Sequence, residues 1–168
     1  MTLQFESELD STDWKILREL QQDARLSYNE LGRRVALSAP AVAERVHKLE
    51  DRGIITGYGA QVDPAKVGLT ILAFIQLRCG QGKCLFQSSK PDDFPEILEI
   101  HILASQYCSI LKVAVSSMEH FNALKDRIEA FGTVVVNIVT STTLDNRMID
   151  WENPNVNTRP KDQSGWMK

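Results

Sequence analysis

The sequence predicts an α+β fold in two domains, a small helical one followed by a ferredoxin-like βαββαβ one, and three observations predict it. Two helix-start signals, Ser27 and Ser38, stand eleven residues apart, and each opens an apolar repeat of helical spacing. From Ile71 the period changes to strand-length runs: ILAFIQLRC, EIHILA, SILKVAV and VVVNIVTSTTL. Between the last two runs, Phe121, Leu124, Ile128 and Phe131 line one face of a helix, so the order reads β-α-β-β-α-β. A chain of 168 residues can bury a core in each of two such domains. The expected division is a winged-helix-like helix-turn-helix over 1–57, a linker strand over 58–66, a dimerisation and effector domain over 67–144, and a polar tail over 145–168.

The first helix follows from Leu9, Trp14, Ile16, Leu17 and Leu20, with a cap at Asp10 or Ser11 and an end near Gln22. Ser27 with Glu30 three residues on has capping-box spacing, and Leu31 and Val35 give the second helix its apolar edge. Ala36 and Leu37 form a tight connection. Ser38 caps the third helix, Pro40 sits in the first turn, where a missing N–H is harmless, and Gly53 suits a left-handed C-terminal residue. The segment IITGYGAQVD reads as a short strand or wing that ends before Pro64. In the second half, two prolines in PDDFPEIL limit any helix there to a short one, and region 80–98 is less helical than a βαββαβ pattern wants. Ser116 with Glu119 reads as a further capping box, and Gly132 as the end of its helix. His101, in an apolar strand, is expected to be half-buried, and His120 solvated.

Composition narrows function by exclusion. Net charge is −3, and the first 57 residues carry Lys15, Arg18, Arg25, Arg33, Arg34, Arg45, Lys48 and Arg52 against ten acidic residues, so indiscriminate coating of nucleic acid is disfavoured. The start MTLQFESELD has no apolar signal core and no run reaches the ~18 apolar residues of a membrane span, which leads to the expectation of a soluble, cytoplasmic protein. Three cysteines, Cys79, Cys84 and Cys108, are accordingly expected as reduced thiols. The C-x4-C spacing of Cys79 and Cys84 is a poor metal signature, so no metal and no cofactor is expected, and a thiol without a role is the commoner reading of Cys108 than a redox sensor. No nucleophile elbow, phosphate loop or paired-carboxylate arrangement is present.

The chemistry concentrates on the helix that begins after Ser38. Val42, Val46 and Leu49 face inward by their spacing, which leaves Ala39, Ala41, Glu44, Arg45, His47, Lys48 and Arg52 outward. Its slim first turns suit a major groove roughly 12 Å wide. The expected DNA contacts are Ser27, Tyr28 and Arg34 on phosphates, Ser38, Ala39, Ala41 and Arg45 at bases, and Lys48 on a phosphate or guanine edge. The rival for Arg45 is a salt bridge, and the rival for the whole motif is a three-helix module used for protein contacts.

The stretch LDSTDWKILRELQQDARLSYNELGRRVALSAPAVAERVHKLEDRGIITGY, above all ERVHKLEDRGIITGY, resembles the N-terminal domain of the Lrp/AsnC (feast/famine) transcriptional regulators, and the second half resembles their RAM domain. The resemblance covers residues 9–144. It implies a sequence-specific DNA-binding regulator rather than an enzyme. It further implies a homodimer that assembles to tetramers or octamers, on pseudo-palindromic double-stranded DNA with half-sites ~34 Å apart or a multiple of that. It also implies an amino-acid or other metabolite effector at residues Ser105, Gln106, Tyr107 and Cys108, with Thr140 and Ser141 nearby. Here the chain departs from the family: Ser105 and Cys108 stand where Gly-x-x-Asp is common. Losing a carboxylate–ammonium hydrogen bond gives up roughly 1.5–3 kcal/mol, about tenfold to a hundredfold in affinity. The expectation is therefore no ordinary amino-acid response, or a different ligand. The alternatives are an architectural DNA-wrapping protein of low specificity and, less favoured, a small ferredoxin-like enzyme.

Overall fold

The computed structural model describes residues 9–80, 85 and 90–150 of the chain. Two compact units result, Met1–Ala60 with Leu144–Lys168, and Gln61–Thr143.

The first unit is built on α1 (Ser11–Gln22), α2 (Tyr28–Val35) and α3 (Ala39–Asp51). A reciprocal capping box forms at α1: Asp10 accepts from the N–H groups of Thr12 and Asp13 at 2.8 Å each, and the Asp13 carboxylate accepts from Asp10 N–H at 3.3 Å. At α2 the box expected from the sequence is only half made. Ser27 Oγ accepts from Glu30 N–H at 3.2 Å, but the Glu30 carboxylate turns to Arg33 and Arg34 instead. The two helices are then joined by a close turn. Ala36 is left-handed (φ 58°), and Leu37 N–H donates to Gly32 O at 2.9 Å. A Cβ on Gly32 would stand 2.5 Å from Leu37 O, so only glycine fits. Ser38 caps α3, and Gly53 (φ +66°) ends it, its N–H bonded to Glu50 O.

Ile16 and Leu17, Leu31 and Val35, and Val42, Val46 and Leu49 bury the three facing edges in one core, the helical spacings expected from sequence. The expected wing is absent: Ile54 and Ile55 pack against this core, their N–H groups bond to Leu49 O, and residues 56–63 form no strand. The β-branched run has no neighbouring strand to pair with. Of the polar segment after residue 144, Ile149 exchanges two 2.9 Å hydrogen bonds with the Gln21 amide, and Asp150 meets Arg18 at 2.6 Å. Trp151 and Trp166 lie outside the described residues.

The second unit is a four-stranded antiparallel sheet of β1 (Ile71–Cys79), β2 (Ile97–Ile102), β3 (Ser109–Val115) and β4 (Gly132–Ile138) in the order β2-β3-β1-β4, with α4 (Met118–Glu129). This is the ferredoxin-like order. In the first crossover, Pro91–Asp93 form a 3₁₀ turn and Leu85 and Phe94 are buried; residues 81–84 and 86–89 are outside the described set. Alternate residues Ala73, Ile75 and Leu77 of β1 and Leu111, Val113 and Val115 of β3 join Phe121, Leu124 and Ile128 of α4 in the core. Two local expectations shift. The cap of α4 is Ser117, which accepts from His120 N–H at 3.1 Å, not Ser116. Gly132 does not end the helix but opens β4, where a Cβ would lie 2.1 Å from Arg78 O. The strand pairing needs that approach.

Gly32→Ala is expected to lower stability of the helical unit by about 1–3 kcal/mol through overpacking. Gly59→Ala, whose Cβ would meet nothing within 4 Å, should stay within about 0.5 kcal/mol. Urea unfolding of the two variants checks the contrast.

Candidate nucleic-acid interface and effector loop

With Val42, Val46 and Leu49 inward, α3 turns Pro40, Glu44, His47, Lys48 and Asp51 fully outward. Of the residues expected to meet DNA, Ser38 and Lys48 are exposed on or beside this face, and Ala41 lies half-buried at its edge. Ala39 is also half-buried, on the flank nearer the core. Tyr28 is joined to the face by an edge-on contact of its ring with His47, 6.4 Å between centroids. Ser27 spends its hydroxyl oxygen on the α2 cap.

The cations on this surface meet acids of the same unit. Lys48 Nζ lies 2.6 Å from Glu44 Oε1, Arg33 pairs with Glu30, and Arg34 bridges Glu30 at 3.0 Å and Glu19 of α1 at 2.8 Å. The two arginines hold the Glu30 carboxyl below its usual range, as Lys48 does Glu44, while Glu19 and Glu30 raise Arg34. Arg34 is thus a strut between α1 and α2 as well as a potential phosphate ligand.

Arg45 is held more firmly. Its Nη1 donates to Asp10 Oδ2 and Asp13 Oδ1, both at 2.7 Å, in a groove between the start of α1 and α3. Asp13 and Asp10 raise the guanidinium. Asp10 itself is held low by the Asp13 backbone N–H and by Arg45, against the opposing effect of burial. The capping box of α1 therefore doubles as an anchor for the third helix. Glu44 and His47, not singled out from sequence as site residues, complete the outward face; their signal is their position opposite the inward stripe. Behind that face, Tyr58 O–H donates to Glu50 at 2.8 Å, and burial, then Glu50, push its ionisation up to about 12.

In the second unit, residues 105–108 form the loop between β2 and β3. Ser105 Oγ accepts from Tyr107 N–H at 3.1 Å and donates to Tyr107 O at 3.0 Å. Cys108 N–H donates to Leu77 O, and Cys108 O accepts from Leu103 N–H, both at 2.9 Å. The expectation of reduced thiols is overturned here: Cys108 is disulfide-bonded to Cys79, with Cα atoms 6.2 Å apart. The β1–β3 register explains the pairing, because Leu77 opposite Ser109 leaves Cys79 beside the incoming loop. Cys84 lies outside the described residues.

Thr140 and Ser141 are exposed but not near this loop. Val139 N–H bonds to Leu72 O, at the other end of β1 from Leu77, roughly 17 Å away at 3.3–3.4 Å per strand residue. The two halves of the expected effector site do not meet within one chain. The histidines also depart from expectation. His101 is exposed on Glu99, and His120 bridges Ser116 Oγ at 3.3 Å and Glu96 Oε1 at 3.2 Å. Burial raises the Glu96 carboxyl, but its own backbone N–H, His120 and Arg127 outweigh this and leave it low.

Residues 9–50 match the AsnC-type helix-turn-helix domain, and residues 72–149 match the Lrp/AsnC ligand binding domain. The HTH-type transcriptional regulator YezC of Bacillus subtilis is 35% identical over 80% of this chain and 96% of its own length. LrpC of Bacillus subtilis superposes with a TM-score of 0.77 at 31% identity, over 84% of this chain and 100% of that one. A transcriptional regulator of Neisseria meningitidis, solved with L-methionine, gives 0.76 at 28% identity, over 84% and 96%.

The Asp10–Arg45 anchor makes a signed prediction. A carboxyl held low in the folded state adds stability above its ordinary value of 3.8 and loses it as pH falls through the folded value. A double-mutant cycle of Asp10→Asn with Arg45→Gln should show a coupling of about 0.2–1 kcal/mol at neutral pH, as for other partly exposed pairs. The coupling should begin to fall below the ordinary aspartate value and vanish as pH drops through the lower folded value.

Proposed function

The chain belongs to the Lrp/AsnC family of DNA-binding transcriptional regulators, and from that premise we propose that it reads pseudo-palindromic operators as a symmetric homodimer in the cytoplasm. The observation that carries this is the α3 surface: a capped, slim start at Ser38 and Ala41 leading to Lys48, opposite a fully buried stripe. Ser38 and Ala41 approach the bases, and Lys48, Arg34, Ser27 and Tyr28 meet phosphates. Arg45, bound to Asp10 and Asp13, holds the helix at its angle. Ala39 supports the turn rather than touching a base. Among the described residues no helix is long and apolar enough to cross a membrane. The named relatives are regulators, and a catalytic role is not part of this reading.

The dimer forms through the sheet face opposite α4. With Ile75 and Leu77 in the core, the alternate set Phe74, Gln76 and Ile110, with Val135 (40% exposed), lies on that other face. Because loop 105–108 and residues 140–141 sit at opposite ends of β1, a ligand touching both bridges two copies, which favours assembly beyond the dimer. A small metabolite acts at that loop. A neutral, bonded sulfur at position 108 cannot pair with an ammonium group, so the ligand is not an ordinary free amino acid.

Three outcomes test this reading. On duplexes from its own upstream region, Lys48→Ala should weaken binding about equally across sequences and reduce the salt slope by about 1; an unchanged slope removes Lys48 from the interface. Val135→Asp should shift the light-scattering mass toward the 18.9 kDa monomer. Calorimetry with the twenty amino acids should show no tight binding, and a tight leucine or methionine isotherm overturns the ligand assignment.

A further inference from the structure

We propose that Cys79 and Cys108 are a reversible dithiol–disulfide pair that locks and releases the loop ahead of β3, so that the protein takes a redox input there. The proposal rests on the reading of residues 105–108 as the regulatory loop. Three features of the structure carry it.

The pair is placed so that either redox state keeps the sheet. Cys108 is already tied to β1 by its N–H on Leu77 O at 2.9 Å, and the β1–β3 ladder runs on from Leu77 opposite Ser109. Joining the sulfurs therefore asks no strand to move, and a Cα separation of 6.2 Å lies within the normal range for the bond. Parting them gives the Cys108 thiol an acceptor at once, since its Sγ stands 3.1 Å from Leu77 O. Both sulfurs belong to half-buried residues at the rim of the core rather than its centre.

The backbone supplies a donor at the bond. Cys79 N–H points at Cys108 Sγ from 3.3 Å, a donor for negative charge on that sulfur. Exchange with a small dithiol then proceeds in two steps. A reductant thiolate attacks Cys79 Sγ, the Cys79–Cys108 bond breaks, and the electron pair leaves on Cys108 Sγ, which takes up a proton. The second thiol of the reductant then displaces Cys79, releasing a cyclic disulfide and leaving two protein thiols. Oxidation by a small disulfide is the reverse, with two electrons and two protons passing to it. In a DNA-binding protein of the cytoplasm, where such bonds are uncommon as structural staples, a reversible role fits the pair better than a permanent one.

What the bond controls is the loop. With it closed, residues 103–107 hang between the Leu103–Cys108 hydrogen bond and a covalent anchor on β1. With it open, the loop retains only the backbone bonds and the Ser105–Tyr107 turn.

The test equilibrates the full-length protein in stepped ratios of reduced to oxidised dithiothreitol, followed by alkylation, peptide mass mapping and amide hydrogen exchange. The 79–108 cross-link should appear and vanish reversibly, and exchange of amides 103–108 should quicken several-fold on reduction. Cys108→Ser and Cys79→Ala should exchange at the fast rate whatever the ratio; Cys79→Ser gives a second substitution at that site should Cys79→Ala fold poorly. A cross-link that never forms, one that engages Cys84 instead, or exchange indifferent to redox state overturns the proposal. DNA affinity measured in parallel judges the underlying reading. A change of the order of 5- to 150-fold between the two states places the loop in regulation, whereas an unchanged affinity beside a reversible lock overturns the regulatory reading and leaves the lock standing.

Discussion

A single close approach sets the angle at which the third helix is offered. Gly32, near the end of α2, has Leu37 O where a side chain would begin, and Leu37 N–H closes the turn onto Gly32 O. Ala36 accepts a left-handed backbone so that the chain can reverse within three residues. The presentation of α3 depends on this turn: which edge faces the core, which faces outward, and how near Arg45 comes to the cap of α1. The Arg45 anchor fixes the other side. A helix pinned by a backbone turn at one end and by two carboxylates a turn and a half further on has little freedom to rotate about its axis. A base contact depends on that alignment more than on any one side chain.

The charge pattern of the helical unit follows from the same economy of placement. Lys48, Arg33, Arg34 and Arg45 each hold a carboxylate of their own unit, so the basic surface is largely neutralised before any phosphate arrives. On the proposed interface a phosphate displaces Glu44 or Glu30 rather than condensed counterions alone, and exchange of one anion for another yields less than binding a bare cation does. Non-specific affinity is thereby held down while the cations stay positioned. This agrees with a chain of net charge −3 and argues for a protein that reads sites over one that wraps DNA indiscriminately.

Much of this was legible because local rules and tertiary packing agreed. The three helices followed from caps and apolar spacing, β1 and β3 from apolar runs of strand length, and the sheet order from the β-α-β-β-α-β sequence. The misses come from partners, or their absence, that spacing along the chain does not reveal. The wing was read from β-branched residues with no strand to pair with. Glu30 looked like half of a capping box until Arg33 and Arg34 claimed it. Arg45 was expected at a base with a salt bridge as the rival, and the partners it takes, Asp10 and Asp13, lie more than thirty residues away. Cys79 and Cys108 gave no signal as a pair, since only the strand register brings them together. Separation along β1 likewise divides the effector residues expected to act as one.

That register also explains why the two cysteines are unequal. Gly132 presses so close to β1 that its Cβ would lie 2.1 Å from Arg78 O and 3.0 Å from Cys79 Cα, and Gly80 N–H is bonded to Phe131 O. Cys79 is therefore held on the β4 side by Gly132, and the residue after it by Phe131. Cys108 is the last residue before β3, where a loop becomes a strand. A bond from a strand residue to the residue where the loop enters β3 constrains the loop before it constrains the sheet. At position 108, where the resemblance led to the expectation of a carboxylate for a ligand's charge, this chain places a sulfur bonded to Cys79. The chemistry open to that position is bond exchange rather than ion pairing.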